Sequence, residues 1–260
     1  MINKRMPVIF SGHGSPMLAL ENNEVTHTLR EIGNKVIEEF GKPKAILAIS
    51  AHWYERGTYV QKTEKPKQIY DMYGFPRALY EFSYPVLGDE KLGERVCELL
   101  GNKVSTDNSW GIDHGTWTVL CHMFPDASIP VVQLSVDGSL SNEEIYELGK
   151  SLAPLRDEGY LIFASGNTVH NLRRVDWSNP NGSEQTIAFD NKIIELVTSR
   201  DDKTVMDFDK IEYSNYAVPT SEHFLPLIYC LGASIGETPM VFNKVRNLSS
   251  IAMTGFAFGM

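Results

Sequence analysis

Three of the seven histidines lie at or just after the ends of short apolar runs that are typical of buried β-strands. His13 follows VIFSG, His52 comes just beyond ILAIS, and His170 follows LIFASGN by a few residues. In open α/β sheets, ligands bind in the crevice outside the carboxyl ends of the strands, where residues distant in sequence converge. We therefore predict that these three imidazoles, together with Asn167, lie at one edge of a sheet.

Two further histidines lie in sequence contexts that suit a pocket. His223 follows the cap-like residues PTS and precedes an apolar helical pattern, so we predict it in the first turn of a helix. His114 lies in SWGIDHGTW, where a loop or a helix start is expected, and the glycines beside His114 and His13 permit close approach of the backbone. The other two histidines, His27 and His122, lie within or beside apolar helical patterns and are assigned to structure.

The chemistry of this set of imidazoles indicates a transition-metal site. Without a cysteine partner, such a set selects zinc, iron, copper or nickel over calcium or magnesium, which prefer oxygen ligands. Three ligands with open positions would indicate a catalytic site instead of a closed structural one. The sequence contains no H-E-x-x-H, P-loop or G-x-S-x-G pattern, and no G-x-G-x-x-G followed by a distant acid. Metallopeptidase, nucleotide-binding and serine-hydrolase functions are therefore disfavoured.

The elements that would position these residues follow an alternating pattern. Short β-rich apolar runs alternate with longer amphipathic stretches, which predicts an α/β domain with a central, largely parallel sheet flanked by helices. Apolar spacing predicts a helix over residues 26–40, followed by a strand at 45–50. A capping-box pattern at Ser141 predicts a helix over 141–158. Residues 56–90 and 174–220 look irregular, and long loops of that kind are usually functional lids or carry some helix. We expect one domain over residues 1–260.

The composition of the chain excludes several classes of partner. The 24 basic and 33 acidic side chains give a formal charge of −9, which argues against a nucleic-acid partner. No apolar run is long enough to span a membrane, and the N-terminus does not resemble a signal peptide. The three cysteines have no C-x-x-C spacing and predict neither a disulfide framework nor a thiolate zinc site. We therefore expect a cytoplasmic protein.

Several motifs together resemble the 4,5-DOPA extradiol dioxygenase family, a branch of the class III extradiol ring-cleaving dioxygenases. The motifs are FSGHGSPM, ISAHW, YDMYGFP, WGIDHGTW, PVVQLSVD, ASGNTVHNLR and SEHFLPLIY, and they run in the family's order from about residue 7 to the C-terminus. The resemblance implies a single α/β domain with one mononuclear divalent metal, which is Fe(II) for catalysis and often Zn(II) as found. It also implies ring opening of a catechol such as DOPA by O2, next to the diol.

The resemblance also implies roles for the five histidines. His13, His52 and His223 match the metal ligands. His170 matches the active-site histidine that transfers protons and is close enough to be a fourth ligand in some states, and His114 lines the same pocket. The founding class III enzymes use two histidines and a glutamate, so Glu222 beside His223 is an alternative third ligand.

Six residues are candidates for the wall of the substrate pocket, namely Ser15, Asp71, Tyr73, Phe75, Trp110 and Asn167.

Two other functions are alternatives to ring opening. If zinc is the working metal, a hydrolase that uses metal-bound hydroxide is the second hypothesis. A non-catalytic binding module with this fold is the third. The presence of all five pocket histidines argues against it, because a degenerate binder would be expected to have lost some of them.

Overall fold

The computed structural model describes residues 4–260, and the strands within this range form one large sheet and one small one. The strands are β1 Val8–Gly12, β2 Ile46–Glu55, β3 Thr58–Val60, β4 Val104–Thr106, β5 Val131–Asp137, β6 Leu161–Gly166, β7 Pro239–Phe242, β8 Arg246–Asn247, β9 Ile251–Ala252 and β10 Gly255–Phe258. The large sheet has the order β4-β3-β5-β2-β6-β1-β10-β7, and β8 pairs with β9. The four central strands, β5, β2, β6 and β1, are mutually parallel, whereas β3 is antiparallel to β5 and β10 is antiparallel to β1 and β7. The predicted α/β fold with a largely parallel sheet is confirmed.

The helices cover both faces of this sheet. They are α1 Glu24–Phe40, α2 Arg77–Tyr80, α3 Glu90–Leu100, α4 His114–Met123, α5 Asn142–Leu152, α6 Pro154–Asp157, α7 Glu184–Ser199, α8 Asp202–Met206, α9 Ser214–Ala217 and α10 Leu225–Ala233, with short 3-10 turns at Pro16–Leu20, Gly101–Lys103, Leu172–Arg174 and Phe208–Lys210. No helix among residues 4–260 is both long enough and apolar enough to cross a membrane.

Strand β2 shows how the core is divided between the two faces. Leu47 and Ile49 pack in the same apolar cluster as α5 and α10, whereas Ile46 and Ala48 pack with α1 and α4. Successive side chains of a strand point to opposite faces, so a central strand covered on both sides is apolar throughout. Burying a leucine or isoleucine side chain contributes roughly 1.5–3 kcal/mol, and the two clusters support the sheet from both faces.

Some predicted boundaries are corrected by the structure. The strand predicted at 45–50 extends to Glu55, and its register against β5 shifts between Ile49 and Tyr54, so His52 lies inside β2 instead of beyond it. The helix predicted over 141–158 has the Ser141 capping box but ends at Leu152. Pro154 then begins the short helix α6, because proline lacks the N–H that would continue α5.

The two segments that look irregular contain elements of their own. Residues 56–90 include β3 and α2, and residues 174–220 include the 16-residue helix α7, whose N-cap is Ser183. His223 lies two residues before α10, in the preceding turn, and not in the first helical turn. Pro226 fixes this start, because proline is favoured in the first turn of a helix and disfavoured further in.

Candidate metal centre

Five imidazoles gather at the carboxyl edge of the sheet. The ring centroids of His13 and His52 are 4.9 Å apart, and His223 lies 5.3 Å from His13 and 5.2 Å from His52. His114 lies 3.9 Å from His52, and His170 stacks on His223 at 3.6 Å with an angle of 9° between the rings. The neighbouring parallel strands β1, β2 and β6 bring three of these residues together, as expected for residues at the ends of adjacent strands.

The N-terminus of α4 positions His114. Asp113 is the N-cap residue, and its buried carboxylate accepts hydrogen bonds from the backbone N–H of Thr116, from Ser50 Oγ at 2.7 Å and from the indole N–H of Trp110 at 3.2 Å. Gln133 also contacts this carboxylate. Sequence analysis did not single out Asp113, although Asp three residues before Thr in DHGT is the pattern of a helix N-cap.

The nitrogen atoms nearest to one another differ in part from the predicted ligand set. Ligand atoms of His13, His52 and His114 lie within 4.8 Å of one another. The motif-based prediction instead combines His13 and His52 with His223, whose Nε2 is buried and has no hydrogen-bond partner. Two overlapping sets of three imidazoles therefore lie at this edge, both of them containing His13 and His52. Among the described residues, only the set with His114 has all its ligand atoms within 4.8 Å of one another.

Hydrogen bonding fixes the tautomer of His13. Its Nδ1 lies 2.8 Å from Ser165 Oγ. The single hydroxyl proton of Ser165 is donated to the carbonyl oxygen of Gly115, so Ser165 must accept a proton from His13 Nδ1. The remaining ring nitrogen, Nε2, therefore carries a lone pair. Sequence reasoning missed Ser165, because a serine inside a buried strand gives no local indication of its tertiary partner.

Carboxylates face the Nδ1 atoms of three more histidines. Asp71 places Oδ2 at 3.1 Å from His52 Nδ1 and Oδ1 at 3.0 Å from His114 Nδ1. Glu222 Oε1 lies 3.3 Å from His223 Nδ1 and also accepts a hydrogen bond from Thr220 at 2.8 Å. Glu222 forms a hydrogen bond with His223 Nδ1, whereas Asp71 lies at ion-pair distance from His52 and His114, and its Oδ2 and His114 Nδ1 have no aligned hydrogen-bond partner. Because an ionised carboxylate only accepts hydrogen bonds, it favours the tautomer with the proton on the facing Nδ1 and the lone pair on Nε2.

The donor set produced in this way fits a single divalent metal ion. The Nε2 atoms of His13 and His52 are 3.0 Å apart, and the tautomers above place a lone pair on each. Two lone pairs facing one another repel unless a proton or a cation lies between them, and one metal ion would satisfy both. A metal-bound histidine commonly donates its other N–H to a carboxylate or another acceptor, and each of these four imidazoles has an acceptor group beside its Nδ1. Glu222, the alternative ligand in the sequence, instead contacts the Nδ1 side of His223.

The electrostatic environment keeps most of these imidazoles neutral. Burial, followed by the neighbouring histidines, lowers the pKa of His13 well below its usual range. Burial lowers the pKa of His223 to about 4, and burial together with His223 lowers the pKa of His170 to about 2. Burial would also lower the pKa of His52, but the contact with Asp71 and nearby carboxylates raises it. Neutral imidazoles are the form that binds metal ions.

The predicted substrate-wall residues occupy varied settings. Ser15 accepts a hydrogen bond from the backbone of Met17 and caps the turn that follows, and Asp71 is engaged with the two imidazoles described above. Tyr73 is 93% exposed, and Phe75 packs partly against the core. These contacts give Ser15 and Asp71 structural partners of their own, and their roles toward substrate stay predictions.

The two remaining wall candidates lie next to the histidine cluster. Trp110 donates to Asp113 and stacks on Trp53, with 6.4 Å between ring centroids. Asn167 donates its side-chain N–H to the carbonyl of Ala252 at 2.9 Å, while its Oδ1 is buried without a hydrogen-bond partner. A free acceptor at the edge that carries the imidazoles makes Asn167 the better placed of the two to bind a hydroxyl group.

Gly166 links the end of β6 to the turn that carries His223. A Cβ atom at Gly166 would collide with the carbonyl oxygen of His223, which accepts a hydrogen bond from Asn167 N at 2.8 Å. We expect Gly166→Ala to displace this turn, to lower the free energy of unfolding by about 1–3 kcal/mol and to weaken Zn²⁺ binding. Chemical denaturation and a chelator-competition titration measure the two effects.

Gly33→Ala is the matched control for this substitution, because a Cβ atom there would collide with the carbonyl oxygen of Met123, at the far end of α4. The control should lose stability but keep its Zn²⁺ affinity. Equal Zn²⁺ affinity in the two variants would contradict the link between Gly166 and the site.

Comparisons with known proteins agree with the chemistry of this site. The sequence model of a family described as the catalytic LigB subunit of aromatic ring-opening dioxygenase matches residues 7–259. The chain is 42% identical to 4,5-DOPA dioxygenase extradiol of Escherichia coli (strain K12), with 92% of this chain and 89% of that protein covered. It is 37% identical to the protein of the same name from Beta vulgaris, with 86% and 85% covered.

A solved structure supports the same relationship at the level of the fold. The crystal structure of an uncharacterized protein from Escherichia coli K12 superimposes with a TM-score of 0.84 at 37% identity, with 97% of this chain and 99% of that chain covered. The resemblance to the extradiol dioxygenases is thereby confirmed, and it implies an enzyme that uses an aromatic substrate and O2. The chain belongs to the LigB family of aromatic ring-opening dioxygenases.

Proposed function

We propose that this protein is an Fe(II)-dependent extradiol dioxygenase that opens the ring of a catechol, such as DOPA, next to the diol. The observation that carries the proposal is the orientation of His13, His52 and His223. Each has its Nδ1 beside an acceptor, which leaves Nε2 free to hold one divalent ion. The relatives named 4,5-DOPA dioxygenase extradiol support the choice of substrate class. When bound, Fe(II) supplies the redox chemistry with O2 that Zn(II) lacks.

The remaining groups of the site have roles toward the substrate in this proposal. His170 accepts a proton from a substrate hydroxyl and returns it after ring opening, because its neutral imidazole stacks directly on His223 and so lies beside the metal position. His114 lines the pocket on the other side, next to His52. His170 is also close enough to His223 to act as a fourth ligand in some states.

The proposed wall of the substrate pocket combines one free acceptor with aromatic side chains. Asn167 offers its unpartnered Oδ1 to a catechol hydroxyl, and the indole of Trp110 provides an aromatic surface near the cluster. Ser15, Tyr73 and Phe75 complete the proposed wall. Pockets for small aromatic ligands are mostly apolar with a few placed polar groups, which is the composition of this set.

An anaerobic reconstitution tests the reaction class. The protein is loaded with Fe(II) or with Zn(II), mixed with a panel of catechols that includes DOPA, and exposed to O2 in an electrode chamber. We expect O2 uptake only with both Fe(II) and a catechol, and a product whose mass is that of the catechol plus two oxygen atoms. The Zn(II) form is the matched control and should take up no O2.

The same experiment separates ring opening from the zinc-hydrolase hypothesis. Uptake of O2 that does not increase with Fe(II) would contradict the proposal, and hydrolysis of an ester panel by the Zn(II) form would favour the hydrolase. The match to a family of catalytic ring-opening subunits favours the dioxygenase over both the hydrolase and a non-catalytic binding module.

A further inference from the structure

Asp71 contacts two histidines to which the proposed function gives different tasks. Its Oδ2 lies 3.1 Å from Nδ1 of His52, a proposed metal ligand, and its Oδ1 lies 3.0 Å from Nδ1 of His114, which would face the substrate. The backbone N–H of His114 also donates to Oδ1 at 2.9 Å. The other two oriented imidazoles have separate acceptors, Ser165 for His13 and Glu222 for His223. Asp71 is therefore shared, whereas the other acceptors each serve one ring.

The segment that carries Asp71 is fixed to the start of α4. Ile69 donates its backbone N–H to the carbonyl of Ile112 at 3.0 Å, and Ile112 donates in return to Lys67 at 2.8 Å. The indole N–H of Trp117, inside α4, donates to the carbonyl of Ile69 at 3.0 Å. These bonds hold the carboxylate in one place relative to both rings. Asp71 lies in an irregular segment, yet its position is set by the surrounding backbone.

We propose that Asp71 is a positioning residue whose single carboxylate sets the tautomer and the orientation of both His52 and His114. The inference rests on the proposed function for the tasks of the two rings. One carboxylate would then control how tightly the metal is held, through His52, and how the substrate is placed, through His114. A carboxylate that orients a metal-binding histidine typically changes metal affinity by 10–100-fold when it is removed.

Replacing Asp71 by asparagine separates the two tasks, because the amide has one acceptor and one donor group. The backbone N–H of His114 keeps the amide oxygen at the position of Oδ1, which leaves His114 in its present tautomer. The amide NH2 then faces His52 Nδ1, which must become an acceptor and move its proton to Nε2. Asp71→Asn is therefore expected to remove the lone pair that would bind the metal while it preserves the orientation of His114. Asp71→Ala removes both acceptors.

Two measurements on the purified full chain test this without relying on turnover. Zn²⁺ affinity is measured by chelator competition, and the tautomers of the histidine rings are assigned by ¹⁵N NMR of the metal-free protein. We expect Asp71→Asn to bind Zn²⁺ about 10–100-fold more weakly than the unsubstituted protein and to show His52 without a proton on Nδ1, whereas the unsubstituted protein carries a proton there. The exposed Asp126, which accepts hydrogen bonds from Ser128, provides the control Asp126→Asn, and its affinity should not change.

Steady-state kinetics at saturating Fe(II) distinguish positioning from a general loss of structure. Asp71→Asn should keep KM for the catechol within about twofold, whereas Asp71→Ala should raise KM about tenfold, the effect of losing one charge-assisted hydrogen bond. If Asp71 only stabilised the fold, the two substitutions would change KM for the catechol to the same extent. Asp71→Ala is also the second variant if Asp71→Asn does not fold, and its Zn²⁺ affinity should fall at least as far.

The outcomes separate this inference from the proposed function. Zn²⁺ affinity equal to that of the unsubstituted protein in both variants, or an unchanged His52 tautomer in Asp71→Asn, would overturn the role of Asp71 and leave the proposed function intact. Failure of the unsubstituted protein to bind Zn²⁺ at all would overturn the proposed function. The ¹⁵N tautomer assignment would then still decide whether Asp71 orients the two rings.

Discussion

Replacement of His170 by alanine should lower kcat for catechol ring opening by about 10²–10⁴-fold, while the protein keeps its metal. The imidazole of His170 stacks on His223 at 3.6 Å, so it lies beside the proposed metal position without belonging to either set of three converging ligands. Removing it takes away the group proposed to accept and return the substrate proton, but leaves His13, His52 and His223 in place. Stopped-flow kinetics and metal analysis of the same preparation measure both quantities.

His27→Ala is the control for this experiment, because His27 is an exposed histidine of α1 that contacts Asn22. It should retain full activity. Turnover of His170→Ala close to that of the control would contradict the role in proton transfer. A large loss of metal from His170→Ala would instead identify this residue as a ligand under the conditions of the assay.

Removal of His223 should release the metal, whereas removal of His114 should not. His13, His52 and His223 are the proposed ligands, and each has an acceptor beside its Nδ1, although His52 shares Asp71 with His114. Losing one of three ligands should weaken Zn²⁺ binding by more than the 10–100-fold that the loss of an outer partner costs. We therefore expect His223→Ala and His13→Ala to be purified without stoichiometric metal and to show no measurable turnover.

His114→Ala is the decisive comparison, because the nitrogen atoms that approach most closely belong to His13, His52 and His114. Zn²⁺ titration of His223→Ala and His114→Ala under the same conditions ranks the two residues directly. If His114→Ala loses the metal and His223→Ala retains it, the ligand set is the one defined by the closest nitrogens, and the motif-based assignment is wrong.

The convergence of the histidines could be predicted from the sequence because it depends on a general property of parallel sheets. His13 and His170 follow apolar runs that become adjacent parallel strands, so their place at one edge follows once the strands are identified. The capping box of α5 was likewise visible, since Ser141 and Glu144 are local in sequence. The fold class needed only the alternation of strands and helices.

Helix α7 was missed for a different reason. Phe189, Ile193 and Leu196 have helical spacing and are buried, but the preceding residues WSNPNGSE and the acidic patch that follows made the whole stretch look irregular. The PTS sequence before His223 resembles a helix cap and predicts too early a start for α10, whereas the helix begins at Leu225, two residues after His223, with Pro226 in its first turn. Residues typical of a helix cap indicate that a helix begins nearby, but the PTS sequence and Pro226 indicate different starting residues.

The partners of His13 and His52 could not be predicted from the sequence. Ser165 lies next to the last residue of β6 and Asp71 in an irregular segment, and no spacing rule relates either residue to the histidine it contacts. Such contacts are decided by tertiary packing, which brings together groups that are 152 positions apart in the case of His13 and Ser165. The sequence therefore predicted which rings meet, and the structure was needed to assign which nitrogen of each ring is free.

The proposed ligands lie on widely separated parts of the chain, and this links the ion to the folding equilibrium of the entire protein. His13 follows the first strand of the sheet and His223 precedes its last α-helix, so the binding geometry exists only after both have docked. An ion that binds the native state alone stabilises it by mass action, by about 2.7 kcal/mol when its free concentration is 100 times Kd. In addition to its role in the reaction, the metal ion would thus stabilise the docking of β1 and of the turn before α10 onto the same site.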